Sequence, residues 1–254
     1  MYPNQPNPQV ISTVSKFWMN RNSNEPLDYI LIFSNSECSE PHWHYISLGL
    51  SDLYGDNRLH MIDTSASAER LSGFGLELTF RLKKTPDTMS VPPSWPANLL
   101  QSLAKYIFVS NNRVQPGDHI PWNKPLDNTS DSKVQHMLIS LDCQLKKIKT
   151  ALGHISFCQV VGVIDDELNA IQRWDCKKML DLLQKDPKTG GQFLITDMDR
   201  KLSIFDLIPQ SIEFLEEDLI INGSDLSGVD AEFSFREIPN VSKTSDYFIL
   251  TFLI

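Results

Sequence analysis

The run Ile155-Ser156-Phe157-Cys158-Gln159-Val160-Val161-Gly162-Val163-Ile164 is nearly continuous in apolar residues. A strand that is apolar on both faces belongs at the centre of a sheet covered from both sides. Asp165-Asp166-Glu167 follows at once and places negative charge at the start of a helical stripe through Leu168, Ile171, Met179, Leu180, Leu182 and Leu183, a favourable match to the helix dipole. The spacing predicts a long helix interrupted near Asp175. Tyr29–Phe33, Trp43–Leu50, Phe74–Leu82 and Val134–Leu141 are rich in aromatic and β-branched residues between turn formers, and read as further strands. Leu99, Leu100, Leu103, Ile107 and Phe108 recur at steps of three and four behind Pro92-Pro93-Ser94-Trp95-Pro96, which predicts a helix with Ser94 as its N-cap. Helices are also expected over residues 8–19 and 209–221, and a strand over Phe193–Ile195. The fold class is therefore α/β: a mixed, largely antiparallel central sheet flanked by helices.

A chain of 254 residues buries a substantial core, and one large domain is expected. With 41% hydrophobic and 22% charged residues the composition is that of a folded globular protein. The formal net charge of −9 argues against direct nucleic-acid binding, which needs a concentrated basic surface. A basic or histidine-bearing partner fits it better. Cys38, Cys143, Cys158 and Cys176 lie far apart without paired spacing, and the N-terminus lacks the charged and apolar regions of a secretory signal, so a reducing compartment is expected.

No catalytic motif stands out. There is no Gly-x-Ser-x-Gly elbow, His-Glu-x-x-His helix or Walker loop. His42 and His44 lie two apart on a predicted strand, so both imidazoles share one face, and His60 could complete a metal site for an assisted hydrolase. The simpler reading has both histidines hydrogen-bonded within a half-buried polar face while Trp43 and Tyr45 fill the other. Asp165 and Asp166 are adjacent at a helix start, where capping explains them better than paired catalysis. Ser51-Asp52-Leu53-Tyr54-Gly55-Asp56-Asn57-Arg58 has the chemistry of a turn, with Gly55 free to take positive φ and too few alternating oxygens for calcium.

The stretch from His42-Trp43-His44-Tyr45 to Arg58 resembles the Suppressor of fused family. So do Ser72-Gly73-Phe74-Gly75 to Leu82, Pro116-Gly117-Asp118-His119, Pro125-Leu126-Asp127-Asn128, Gln135-His136-Met137-Leu138, Leu194-Ile195-Thr196-Asp197-Met198 and Asp225-Leu226-Ser227-Gly228-Val229. The resemblance covers roughly residues 1–235 by the standard of motifs in context. It implies an N-terminal Suppressor of fused domain over residues 1–240, a divergent apolar tail over 241–254, and absence of the family's C-terminal domain. It implies a regulator rather than an enzyme, without cofactor, membrane or direct nucleic-acid contact, acting as a monomer in cytoplasm and nucleus. The function implied is negative regulation of Hedgehog signalling, by sequestering Gli or Cubitus interruptus transcription factors. In that family an extended peptide with a Ser-Tyr-Gly-His core binds by strand addition in the cleft between two domains. Motif matching carries the peptide-contacting tyrosine onto Tyr106 and the aspartate that meets the peptide's histidine onto Asp118, with Val114 on a neighbouring strand position where the family often has an aromatic residue. Outside the resemblance, Asp118 reads as a turn residue after Gly117, and Tyr106 as a helix residue at the core boundary. Competing classes are a hydrolase built on His42, His44 and His60 or on Asp118-His119, and an interaction module for some other peptide.

Overall fold

The apolar run is a central strand, β8 (Gly153–Val163), in a computed structural model that describes residues 2, 4–12, 25–36, 40–55 and 70–223. Among these residues the other strands are β1 (Gln9–Ser12), β2 (Tyr29–Asn35), β3 (His42–Leu48), β4 (Leu71–Lys83), β5 (His119–Pro121), β6 (His136–Leu141) and β7 (Ile148–Thr150). They form one sheet in the order β1-β2-β3-β4-β8-β6-β5, with β7 also paired to β8. Only β4 and β8 run parallel, and every other pairing is antiparallel.

Side-chain alternation along the central strands divides the interior into two layers. Met137, Ile139 and Val160 join Tyr45, Leu78 and Phe80 beneath α1 (Trp95–Ser110), which inserts Leu99, Leu100, Leu103, Ala104 and Ile107. Leu138, Val161 and Val163 point the other way. They pack under α2 (Asp165–Ile171), α3 (Cys176–Leu183), the short α4 (Ile204–Leu207) and α5 (Gln210–Asn222). The expected interruption of the long helix falls where Asp175 caps α3 by accepting from the Lys178 N–H at 2.9 Å.

Four local expectations are corrected. Residues 9–12 of the predicted helix over 8–19 are a strand, because Pro6 and Pro8 favour extended chain and β2 offers an open edge; residues 13–19 lie outside the described residues. Gln5 reinforces that docking by accepting from the Ser34 N–H at 2.9 Å and donating to the Ser34 carbonyl. Phe193–Ile195 is no strand: Gly190 and Gly191 wind it into a 3₁₀ turn that leaves Leu194 at φ 51°, and only Thr196 bridges to Leu82. Ser94 holds the N-cap position of α1 without a side-chain capping bond. At α2 the working carboxylate is Glu167, which accepts from the Ile164 N–H at 3.1 Å and holds Arg200, while Asp165 pairs with His136.

The polar centre of the sheet is buried more completely than the sequence suggested. His42 and His44 share one face of β3 as expected, but both have no exposed surface. His42 Nδ1 lies 2.8 Å from the Glu40 carbonyl. His44 sits between the Tyr2 hydroxyl, at 3.0 Å, and the Asp142 carboxylate, at 3.3 Å. Asp142 also receives both terminal nitrogens of Arg81, at 2.8 and 3.0 Å, and the Thr79 hydroxyl at 2.8 Å. Burial opposes ionisation of Asp142, but hydrogen bonds from His44 and Arg81 outweigh it and hold the carboxyl well below its usual range.

Burial pushes both histidines down from the ordinary 6.5 to about 4. The unfolded chain therefore binds more protons than the native one between those values. Stability should be fully present above about pH 6.5 and fall as pH drops towards 4, by on the order of 3 kcal/mol per histidine. Thermal unfolding followed across this window should show that decline; an unfolding temperature that stays flat from pH 7 to 4 would contradict it. Asp142→Asn, which leaves Arg81 buried without a counter-charge, should cost about 3–5 kcal/mol in urea unfolding, and a cost below about 1 kcal/mol would remove this pair from the core account.

Candidate peptide-binding groove

Gln115-Pro116-Gly117-Asp118 links α1 to the last strand of the sheet, and its residue types dictate its shape. Proline supplies the first central position of a type II turn and glycine the second, where φ must be positive. Gly117 lies at φ 100°, and the Asp118 N–H donates to the Gln115 carbonyl at 3.0 Å. The Asp118 carboxylate reaches back to accept from the Gln115 N–H at 2.7 Å. Gly117 N–H then bonds the Ile139 carbonyl at 2.9 Å while the Ile139 N–H bonds the Asp118 carbonyl at 2.8 Å. Two residues thus oppose one, the pattern of a bulge that begins with glycine.

This bulge sets the phase of β5. With Ile139 bonded to Asp118, the next hydrogen-bonded pair is Ile120 with Met137. His119, opposite Leu138, consequently turns its N–H and carbonyl to the open side of the sheet. Pro121, with no N–H, suits an edge position. Beyond it, the Trp122 N–H rests on His136 Nδ1 at 3.3 Å, and His136 Nε2 is 2.6 Å from Asp165.

A groove of about 590 Å³ runs along this edge between α1 and β5. Tyr106, Val114 and Asp118 all line it, with Leu103, Ile120 and Trp122. Tyr106 projects from α1, 50% exposed, and its hydroxyl accepts from the Asn112 amide at 2.9 Å. Val114 does not occupy a strand. It lies in the connection after α1 with its side chain 5% exposed, anchored in the core layer beneath that helix. Asp118 is exposed, and among the described residues one of its carboxylate oxygens takes no hydrogen bond. The groove therefore offers an open backbone edge, a phenol, an acceptor carboxylate and an apolar floor.

The sequence reading missed the edge strand β5, and Trp122 forms part of the groove wall. Three residues are too few for strand periodicity, but Pro-Gly followed shortly by Pro121 carries the signal of a turn leading to an edge. The hydrolase reading gains nothing from the geometry. His44 is committed to Tyr2 and Asp142, His60 lies outside the described residues, and among the described residues no three His, Cys, Asp or Glu side chains are placed to hold a metal. The turn reading of the segment after β3 holds through Gly55, where the Asp52 carboxylate accepts from the Tyr54 and Gly55 N–H groups at 3.1 and 2.8 Å. No helix among the described residues is long and apolar enough to cross a membrane.

Comparison with known proteins agrees with this architecture. The sequence profile of Suppressor of fused protein (SUFU) matches residues 23–201. The human Suppressor of fused homolog is 44% identical over 242 residues, covering 94% of this chain and 49% of its own length. The chain thus spans about half the length of that curated relative. The crystal structure of Drosophila Suppressor of Fused superposes with a TM-score of 0.85 at 44% identity, over 96% of this chain and 57% of that one. A chain of the Sufu-Fu complex crystal structure superposes with a TM-score of 0.77 at 44% identity, over 84% of this chain and 91% of that one. This is a regulatory family and not one of enzymes, and the chain belongs to it: it is a member of the Suppressor of fused family.

Proposed function

We propose that the groove beside β5 takes an extended segment of a Gli or Cubitus interruptus transcription factor, with a Ser-Tyr-Gly-His core, as an added strand. The observation that carries this reading is the position of Asp118 at the start of an open strand edge, with Tyr106 on the facing helix. Strand addition satisfies the His119 backbone groups, while alternate peptide side chains enter the groove. A peptide imidazolium would donate a charge-assisted hydrogen bond to Asp118, and the Tyr106 hydroxyl supplies a second directional contact. A relative solved as the Sufu-Fu complex supports protein binding as the family's mode of action. Holding the transcription factor in this way, in the cytoplasm or the nucleus, is negative regulation of Hedgehog signalling.

Calorimetric titration with a Ser-Tyr-Gly-His peptide tests the reading. Saturable binding is expected, weakened at least about tenfold by Asp118→Arg, by Tyr106→Ala, or by replacing the peptide's histidine with alanine, as loss of a hydrogen bond to a charged group implies. Binding that survives all three changes would place the peptide elsewhere. Absence of binding by a folded sample would show that this chain alone does not form the site.

A further inference from the structure

The same groove contains a cation that the proposed contacts leave unused. Arg113 lines it, half-buried, two residues beyond the left-handed Asn111 that ends α1. The two buried arginines among the described residues are each clamped by a carboxylate: Arg81 by Asp142, and Arg200 by Glu167 at 2.8 Å. Arg113 differs from them. Among the described residues no carboxylate comes within ion-pair distance of it; its Nε, like that of Arg81, is buried without an acceptor. The Trp122 Nε1, in the same groove, is a second buried donor without an acceptor.

Buried donors of this kind cost free energy, so their retention calls for a physical account. Cys158 of β8 has its thiol pushed up to about 11, chiefly by burial, with Arg113 pulling it down and Asp118 pushing it further up. Arg113 and Asp118 both line the groove, so it presents a positive and a negative charge in a protein that carries a net −9 overall. Asp118 has its backbone partner at Gln115 and an open oxygen besides, whereas among the described residues the Arg113 Nε has no acceptor.

We infer that Arg113 is an anion subsite of the peptide groove, taking an acidic side chain of the partner, a carboxylate or a phosphate, that flanks the basic residue held by Asp118. The inference rests on the peptide-binding reading and adds a sequence requirement to it. A guanidinium matches either anion through two parallel N–H donors. The partner segment recognised best would therefore be zwitterionic: a histidine or other cation for Asp118, and an acid within a few residues of it for Arg113.

The test is a positional scan by calorimetry. Ser-Tyr-Gly-His peptides carry a single glutamate, or glutamine as its neutral match, at each of the three positions on either side of the core; phosphoserine is then placed at the best position. At one position glutamate should bind about tenfold more tightly than glutamine. That gain should disappear in Arg113→Gln, while the peptide without flanking acid changes less than about twofold. Arg113→Lys should keep part of the gain, since the charge stays and the planar fork is lost. Whether phosphoserine or glutamate gains more identifies the anion. Core binding with no glutamate preference at any position would overturn the Arg113 subsite and leave the peptide reading standing, as would a preference undiminished in Arg113→Gln. If the core itself does not bind a folded sample, this chain alone does not form the site, and the subsite falls with it. Should neither variant fold, the absence of any glutamate preference on the unaltered chain would still overturn the subsite.

Discussion

Four strands of this sheet converge on one ion pair, Arg81 with Asp142. Asp142 stands just past the end of β6 and holds Arg81 of β4 by two hydrogen bonds, while His44 of β3 approaches the same group and Gln159 of β8 accepts from Arg81. Its remaining acceptor capacity goes to the Gln144 and Leu145 N–H groups, at 2.9 and 2.7 Å, which turn the chain towards β7. An ion pair of this kind repays its desolvation only when every lone pair and proton is used. Here they nearly all are, and the geometry fixes a relation that hydrophobic packing alone leaves loose: the register of β6 against the parallel pair β4–β8.

The groove inherits its precision from that register. Once β6 is placed, Ile139 is placed, and its N–H and carbonyl lock the bulge at Gly117 and Asp118. The bulge then sets which backbone groups of β5 face outwards. A one-residue slip would turn the His119 groups inwards and send the Asp118 side chain to the other face. Tyr106 reaches the same groove from α1, whose seating depends on the layer formed by Leu99, Leu103 and Ile107 against the same strands. Asp118 is exposed on a short connection and Tyr106 half-exposed on α1, yet the first is bonded through its carbonyl to β6 and the second is carried by a helix packed on the sheet.

What could be read from the sequence follows from the range of the interactions involved. β8 was legible because a strand buried on both sides must be apolar throughout, and α1 because its inner face repeats at helical spacing. The break between α2 and α3 showed at Asp175, a residue whose side chain competes for its own backbone. The N-terminal strand was not legible: Val10 and Val14 fit a helical period, and only the open edge of β2, a tertiary feature, decides for extended chain. The site divided in the same way. Pro116-Gly117-Asp118 announces its turn locally, but the edge it opens, the wall at Trp122 and the lone guanidinium of Arg113 emerge only when distant segments meet. Val114 was expected on a strand and lies instead in the floor.

Hydrogen exchange at the edge backbone tests the central claim, that this groove works by accepting a strand. The measurement is residue-resolved amide exchange of the chain with and without a saturating Ser-Tyr-Gly-His peptide. The account predicts that the His119 N–H, open in the free sheet, slows by about tenfold or more on binding, while Val10 and Ile11 on the opposite edge do not change. Bound peptide with unchanged exchange at His119, or protection confined to β1, would contradict it.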